Sequence, residues 1–161
     1  MGDDANWVLV AEGADDLRSD YVEWLRDRGY QVLAAANGLE ALEFARGRGP
    51  GVVVLNMDLP VLDGWATARA IRRDPRLHAT KVVALAPSGV KEGEVRSAGC
   101  DAVLRTPVRR GAFVAVVADF MPAADLESLD RMKIAQPVSA FRTWLAIARG
   151  LDRPARQSRK S

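Results

Sequence analysis

Val52-Val53-Val54-Leu55-Asn56-Met57-Asp58-Leu59-Pro60-Val61-Leu62-Asp63-Gly64 is the stretch that decides the fold of this chain. Its first four residues are aliphatic and come after the breaker Gly49-Pro50-Gly51, so they predict a strand buried on both faces. The run stops at a polar side chain, Asn56. Pro60 withholds an N–H and Asp63-Gly64 favours a tight reversal, so residues 57–64 form a turn. In an open parallel sheet, ligands and chemistry collect just beyond the carboxyl ends of the strands, where strand order reverses. Asn56 stands at such an end.

Outward from this stretch, strand and helix signals alternate. Trp7 to Ala11 is an apolar run ending at Glu12-Gly13, and Tyr30 to Ala35, Lys81 to Leu85 and Ala102 to Arg105 read as further strands. Between the first two lies a helix capped by Asp15 or Asp16, with Leu17, Tyr21, Trp24 and Leu25 on one face. Asn37-Gly38 opens a second helix with Leu39, Leu42 and Ala45 inward, and residues 65–73 form a third that Asp74-Pro75 stops. Residues 91–98 are a weak helix because Gly89 and Gly93 lower its propensity. Residues 108–120 form the last, with Phe113, Val116, Val117 and Phe120 on one stripe. Five alternations in 120 residues require an α/β fold: a doubly wound parallel sheet with right-handed crossovers and helices on both faces.

The chain has 161 residues, 48% of them hydrophobic, which suits one domain and a modest appendage. Residues 1–120 hold 15 Lys/Arg against 17 Asp/Glu, whereas 121–161 hold 8 against 4, and this asymmetry marks a boundary near Met121-Pro122. The expected organisation is a domain over 1–121, a two-helix extension over 122–151 and a basic flexible tail over 152–161. Phe141, Trp144 and Leu145 give the extension an apolar face that packs on the domain, on a partner or on a second copy. No apolar run is long enough to span a bilayer, and Met1-Gly2-Asp3-Asp4 has none of the marks of a signal peptide, so a cytoplasmic protein without membrane insertion is expected. Cys100 is the single cysteine and His78 the single histidine, which excludes a disulfide and a multi-cysteine or histidine metal cluster. Cys100 reads as a small buried residue.

The ordered marks Val8-Leu9-Val10 before an acidic residue, Asp16-Leu17-Arg18, Ala36-Asn37-Gly38-x-Glu40-Ala41-Leu42, Leu59-Pro60-x-x-Asp63-Gly64, Gly99-x-Asp101 and Pro107-Val108 together resemble the receiver domain of bacterial two-component response regulators. The resemblance covers residues 7–120. It implies a flavodoxin-like sheet in the order 2-1-3-4-5, with Glu12 and Asn56 side by side at the switch point, and a cis peptide between Thr106 and Pro107. It also implies phosphorylation of an aspartate four residues before Pro60, Mg²⁺ held by an acidic pair after the first strand, a hydroxyl residue after the fourth, and a lysine before Pro107.

Residue by residue, those parts are missing. The phosphoacceptor position is Asn56, whose amide offers no anionic nucleophile. The acidic pair is Glu12-Gly13, too poor in carboxylates for Mg²⁺, so no metal site or other cofactor is expected. The hydroxyl position is Ala86, the lysine position Thr106, and the aromatic switch position Val103. With its Lys gone, Glu12 is expected to pair with an arginine such as Arg105.

The function expected is that of a pseudo-receiver, a non-enzymatic module that signals by protein contact without aspartyl phosphorylation. Its partner is a signalling protein or a second copy of the chain. By family analogy the contact surface takes in Val90, Val95, Ala102, Val103 and Arg105. Two other readings stand beside it. One is a phosphorylatable receiver that uses Asp58; the other is a regulator that associates with nucleic acid through the basic tail.

Overall fold

A computed structural model describes residues 7–122. Five strands, β1 (Trp7–Ala11), β2 (Gln31–Ala35), β3 (Val52–Asn56), β4 (Lys81–Pro87) and β5 (Ala102–Thr106), pair in parallel in the order β2-β1-β3-β4-β5. Helices α1 (Asp15–Arg26), α2 (Gly38–Arg48), α3 (Gly64–Arg73), α4 (Glu92–Ser97) and α5 (Arg110–Phe120) fill the crossovers, with a single 3-10 turn over Pro75–Leu77. The expected fold class and strand order are those observed. The extension and tail, apart from Pro122, lie outside the described residues, and with them Phe141, Trp144 and Leu145.

Strand alternation divides the core into two layers. Val8, Val10, Val52 and Val54 point to the face covered by α1 and α5, while Leu9, Ala11, Val53 and Leu55 point to the face covered by α2, α3 and α4. All eight are fully buried, which is why the central strands read as unbroken aliphatic runs. Tyr21 stacks on Phe113 with ring centroids 4.8 Å apart, and Trp24 meets the same ring edge-on, tying α1 to α5. Arg72 joins α3 to the far side of the sheet. Its guanidinium donates to the carbonyls of Gly99 and Thr80 and to Asp101 Oδ2. Gly99 sits at φ +108°, and a β-carbon there would run into the Arg72 stem.

Several local expectations are corrected. Leu17 is 41% exposed, because it lies a turn before Tyr21, beyond the strand ends, where there is no sheet to cover. Leu39 is 52% exposed, since the buried stripe of α2 is Gly38, Ala41, Leu42 and Ala45 and residue 39 falls about 100° away from Gly38. Neither Asp15 nor Asp16 caps α1; its N-cap is Ala14, which has no capping side chain. Strand β4 runs two residues past Leu85, because Ala86 and Pro87 still pair with Arg105 and Thr106. Val95, assigned to the contact surface, is fully buried under α4, packed in the layer that holds Val82 and Ala84.

Two experiments test this packing. A β-carbon on Gly38 would overlap the Leu62 carbonyl and the Thr67 hydroxyl, whereas one on Gly47 of the same helix meets nothing within 4 Å. Gly38→Ala is therefore expected to cost about 2 kcal/mol or more, and Gly47→Ala to add about 0.5–1 kcal/mol, both read by urea denaturation. Asp74 is 8% exposed and accepts from Arg76 and Arg46, and these bonds, Arg76 first, lower its carboxyl from 3.8 to about 2. A carboxyl depressed in the folded state stabilises it above the ordinary value and loses that contribution as pH falls towards 2. Acid denaturation of Asp74→Asn is thus expected to show a weaker pH dependence between about pH 4 and 2 than the native chain.

Candidate functional site

The carboxyl ends of β1 and β3 lie next to each other, with Ala11 paired to Leu55, so the residues just after each strand are brought together. Asn56 Nδ2 donates to Glu12 Oε2 at 2.8 Å. The other carboxylate oxygen, Oε1, accepts the Ala14 N–H at 3.0 Å. Glu12 is only 3% exposed, and a carboxylate so buried must be met by donors. Here both oxygens have one. The Glu12 carbonyl in turn accepts from Arg18 Nη1 at 3.0 Å, and its N–H donates to the Ala35 carbonyl on β2.

Asn56 is held from its other side as well. Its Oδ1 accepts the Asp58 N–H at 2.9 Å, forming an Asx turn that swings the chain out of the sheet. The Met57 N–H still donates to the Leu85 carbonyl, so β3 stays in register to its end without a bulge, and Asp58 is exposed. Gly64 packs against the Asn56 carbonyl and Met57 Cα, closer than a side chain would allow. Asp63 Oδ1 accepts the Ala66 N–H at 2.8 Å and caps α3, as a residue of that turn is expected to do. Between them, Val61 takes φ 69° although it is β-branched and 79% exposed, a costly conformation for valine.

Of the six residues read from the sequence as the pocket, the structure joins Glu12, Asn56 and Asp58 through hydrogen bonds. Gly13 adjoins them by a different route: a β-carbon there would lie 3.2 Å from Pro60 Cδ, so its small size lets the β3–α3 loop fold over β1. Ala86 is fully buried on β4. Thr106 lies at the end of β5, in register with Pro87 and two strands from Asn56, and among the described residues its side chain makes no hydrogen bond to Glu12 or Asn56. The peptide between Thr106 and Pro107 is cis, as the resemblance implies.

The expected pairing of Glu12 with Arg105 is overturned. Arg105 Nη1 instead donates to the carbonyls of Pro87 at 3.0 Å and Val90 at 2.7 Å, while Glu12 takes the nearer Asn56 amide. Arg18 and Ala14 belong to the site although neither is a candidate by sequence. The signal for Arg18 is its place one turn into α1, within reach of the β1–α1 loop. Ala14 acts through its backbone, which leaves no mark in a sequence. Cys100 is buried, and burial pushes its thiol up to about 11, so it is a core residue and not a nucleophile.

The Glu12–Asn56 bond gives a test. Asn56→Asp replaces a donor with a second carboxylate 2.8 Å from the first, and like charges this close raise the proton affinity of the pair. Because proton binding is stronger in the folded variant than in its unfolded chain, the deficit is full at neutral pH and shrinks as pH falls. Urea denaturation is expected to show a loss of about 1–3 kcal/mol at pH 7 and a smaller loss at pH 5.

This geometry has well-populated company. The model of the response regulator receiver domain matches residues 8–118. The polar-differentiation response regulator DivK of Brucella anthropi is 27% identical over 116 residues, covering 71% of this chain and 94% of DivK. The chemotaxis protein CheY4 of Vibrio cholerae superposes with a TM-score of 0.69 at 24% identity, over 73% of this chain and 99% of that one. The receiver domain of a sensor histidine kinase from Pseudomonas aeruginosa, solved with magnesium coordinated in its active-site cleft, gives a TM-score of 0.66 at 23% identity, over 72% and 97%. With the sheet order, the Glu12–Asn56 junction and a family match over more than half its length, this chain belongs to the response regulator receiver domains of two-component signalling.

Proposed function

We propose that this domain is a pseudo-receiver, which serves signal transduction by protein contact and carries no aspartyl phosphate. The observation that supports this most directly is the 2.8 Å bond from the Asn56 amide to Glu12. Aspartyl phosphorylation starts with a carboxylate oxygen attacking phosphorus, and an amide nitrogen conjugated to its carbonyl has no lone pair to offer for that step. The amide is, moreover, engaged as a donor.

The residues present do not fit Mg²⁺. The ion demands near-octahedral oxygen ligands, commonly including one or two carboxylates plus phosphate. Among the described residues Glu12 is the one carboxylate buried at these strand ends, and both its oxygens already accept protein N–H groups. Gly13 contributes none, and Pro60 sits where a side chain on residue 13 would go. Among the described residues no group of three or more His, Cys, Asp or Glu is placed to hold a metal. Ala86 offers no hydroxyl and Thr106 no charge to a phosphoryl group.

The contact surface we assign comprises Val90, Ala102, Val103 and Arg105, all partly or largely exposed along α4 and the edge strand β5, with Val95 removed because it is buried. Edge strand β5 keeps three of its five residues, Ala102, Val103 and Leu104, half-buried and apolar. A partner would finish covering them.

The test is incubation of the full chain with acetyl phosphate and Mg²⁺, with intact mass as the readout. The expected mass is unchanged. A gain of one phosphate overturns the proposal, and its loss in Asp58→Asn would assign the acceptor to Asp58.

A further inference from the structure

Helix α4 is the least self-sufficient element of the domain. It has six residues, its N-cap Lys91 makes no side-chain cap, and Gly93 lies in its first turn with no positive φ and no close neighbour to require a glycine. An isolated helix this short does not hold itself together. What fixes its position is arginine. On the C-terminal side, Arg96 donates to the Asp101 carbonyl and Arg72 to the Gly99 carbonyl. On the N-terminal side a single group holds it: Arg105 Nη1 bridges the Pro87 and Val90 carbonyls, the two ends of the turn that leads into α4. The turn closes on itself only through the Val90 N–H to Pro87 carbonyl bond at 3.1 Å.

The two groups of latches differ in what else can reach them. Arg72 is three-quarters buried, with a carboxylate on Asp101, and Arg96 is paired with Glu92. Arg105 is exposed, and both its acceptors are neutral carbonyls. Among the described residues neither it nor the adjacent Lys91 has an ion pair. A bond to a carboxylate is roughly twice as strong as one to a neutral acceptor. A carboxylate delivered to this surface therefore wins the guanidinium from the carbonyls.

We propose that Arg105 is the latch of a phosphate-independent switch: an acidic segment of a partner protein docks at the α4–β5 surface, takes the Arg105 guanidinium from Pro87 and Val90, and releases the turn and α4. This rests on the pseudo-receiver reading and supplies the chemistry of its partner. Apolar Val90, Ala102 and Val103 around the latch, all half-buried, favour a protein segment over a nucleic-acid backbone.

The experiment is amide hydrogen exchange on the full chain, read over residues 88–98 and, as a control for global unfolding, over β3. Arg105→Ala is expected to speed exchange over 88–98 by about tenfold or more while β3 stays unchanged and Lys91→Ala has no such effect. Hexaglutamate in low-salt buffer is expected to speed the same residues in the native chain, hexaglutamine to leave them alone, and added salt to abolish the effect. Unchanged exchange in Arg105→Ala, or no response to hexaglutamate, overturns the latch. A stronger response to an oligothymidylate than to hexaglutamate overturns the assignment to an acidic protein. None of these readouts involves phosphate, so failure here is distinct from a phosphate gain in the acetyl phosphate test.

Discussion

A carboxylate buried at the carboxyl ends of two central strands has to be satisfied by the protein itself, and the way Glu12 is satisfied shapes everything around it. Its Oε1 draws in the Ala14 N–H, which starts α1 where no side chain caps it. Its Oε2 draws in the Asn56 amide, and the free end of that amide receives the Asp58 N–H and turns the chain away from the sheet. A hydrogen bond to a charged group contributes about 1.5–3 kcal/mol, and leaving the carboxylate unpaired would cost more. The close approach of Gly64 to residue 56 and of Pro60 to Gly13 comes from the same fold-over of the loop. Two loops are thus built on one amide–carboxylate pair.

That pair also separates scaffold from chemistry. The scaffold is encoded by apolar alternation in β1, β3 and β4, by the Asn37 and Asp63 caps, and by the Arg72 junction. None of these involves the groups a phosphoryl transfer would need. A receiver-type sheet therefore survives full replacement of its reactive side chains, provided that the replacements satisfy the burial they inherit. Asn56 does so as a donor to Glu12, Ala86 as a small residue at 0% exposure, and Gly13 by making room for Pro60. Fold and site are here under separate physical control.

Much of this was legible in the sequence because it rests on strand periodicity and on residues whose chemistry is local. The unbroken run 52–55 could only be a strand covered on both faces, and Asp63 before Gly64 could act as a cap without knowing the tertiary structure. The meeting of Glu12 and Asn56 required only the strand order. What escaped were choices made in three dimensions. Leu17 and Leu39 carry the right spacing for an apolar face, but whether a helix position meets the sheet depends on where the sheet ends and how the helix is rolled. Val95 sits on an outer helix and is nonetheless buried, since a helix of six residues has only one inward side chain to spend on the core. Arg105 went to backbone carbonyls and not to Glu12, and carbonyl acceptors have no signature in a sequence at all.

The same separation bears on how a module of this kind could be regulated. A two-state element shifts only by the difference in a ligand's affinity for the two states, so a pocket without a charged or metal ligand to bind exerts no leverage on the surface. On the pseudo-receiver reading, Glu12 and Asn56 hold one arrangement and nothing arriving at them favours another. The places where the structure stores alternatives lie instead at its margin, where α4 depends on three arginines for its position and one of those is exposed to solvent. Shifting such an element from almost wholly docked to almost wholly released takes a differential affinity of about 5.5 kcal/mol. One exchanged guanidinium bond contributes a part of that. The remainder has to come from apolar area gained with the partner, and half-buried Val90, Ala102, Val103 and Leu104 are the area this surface has left to give. A partner that offers only charge would loosen α4 without capturing it, whereas one that offers charge beside an apolar side chain would do both.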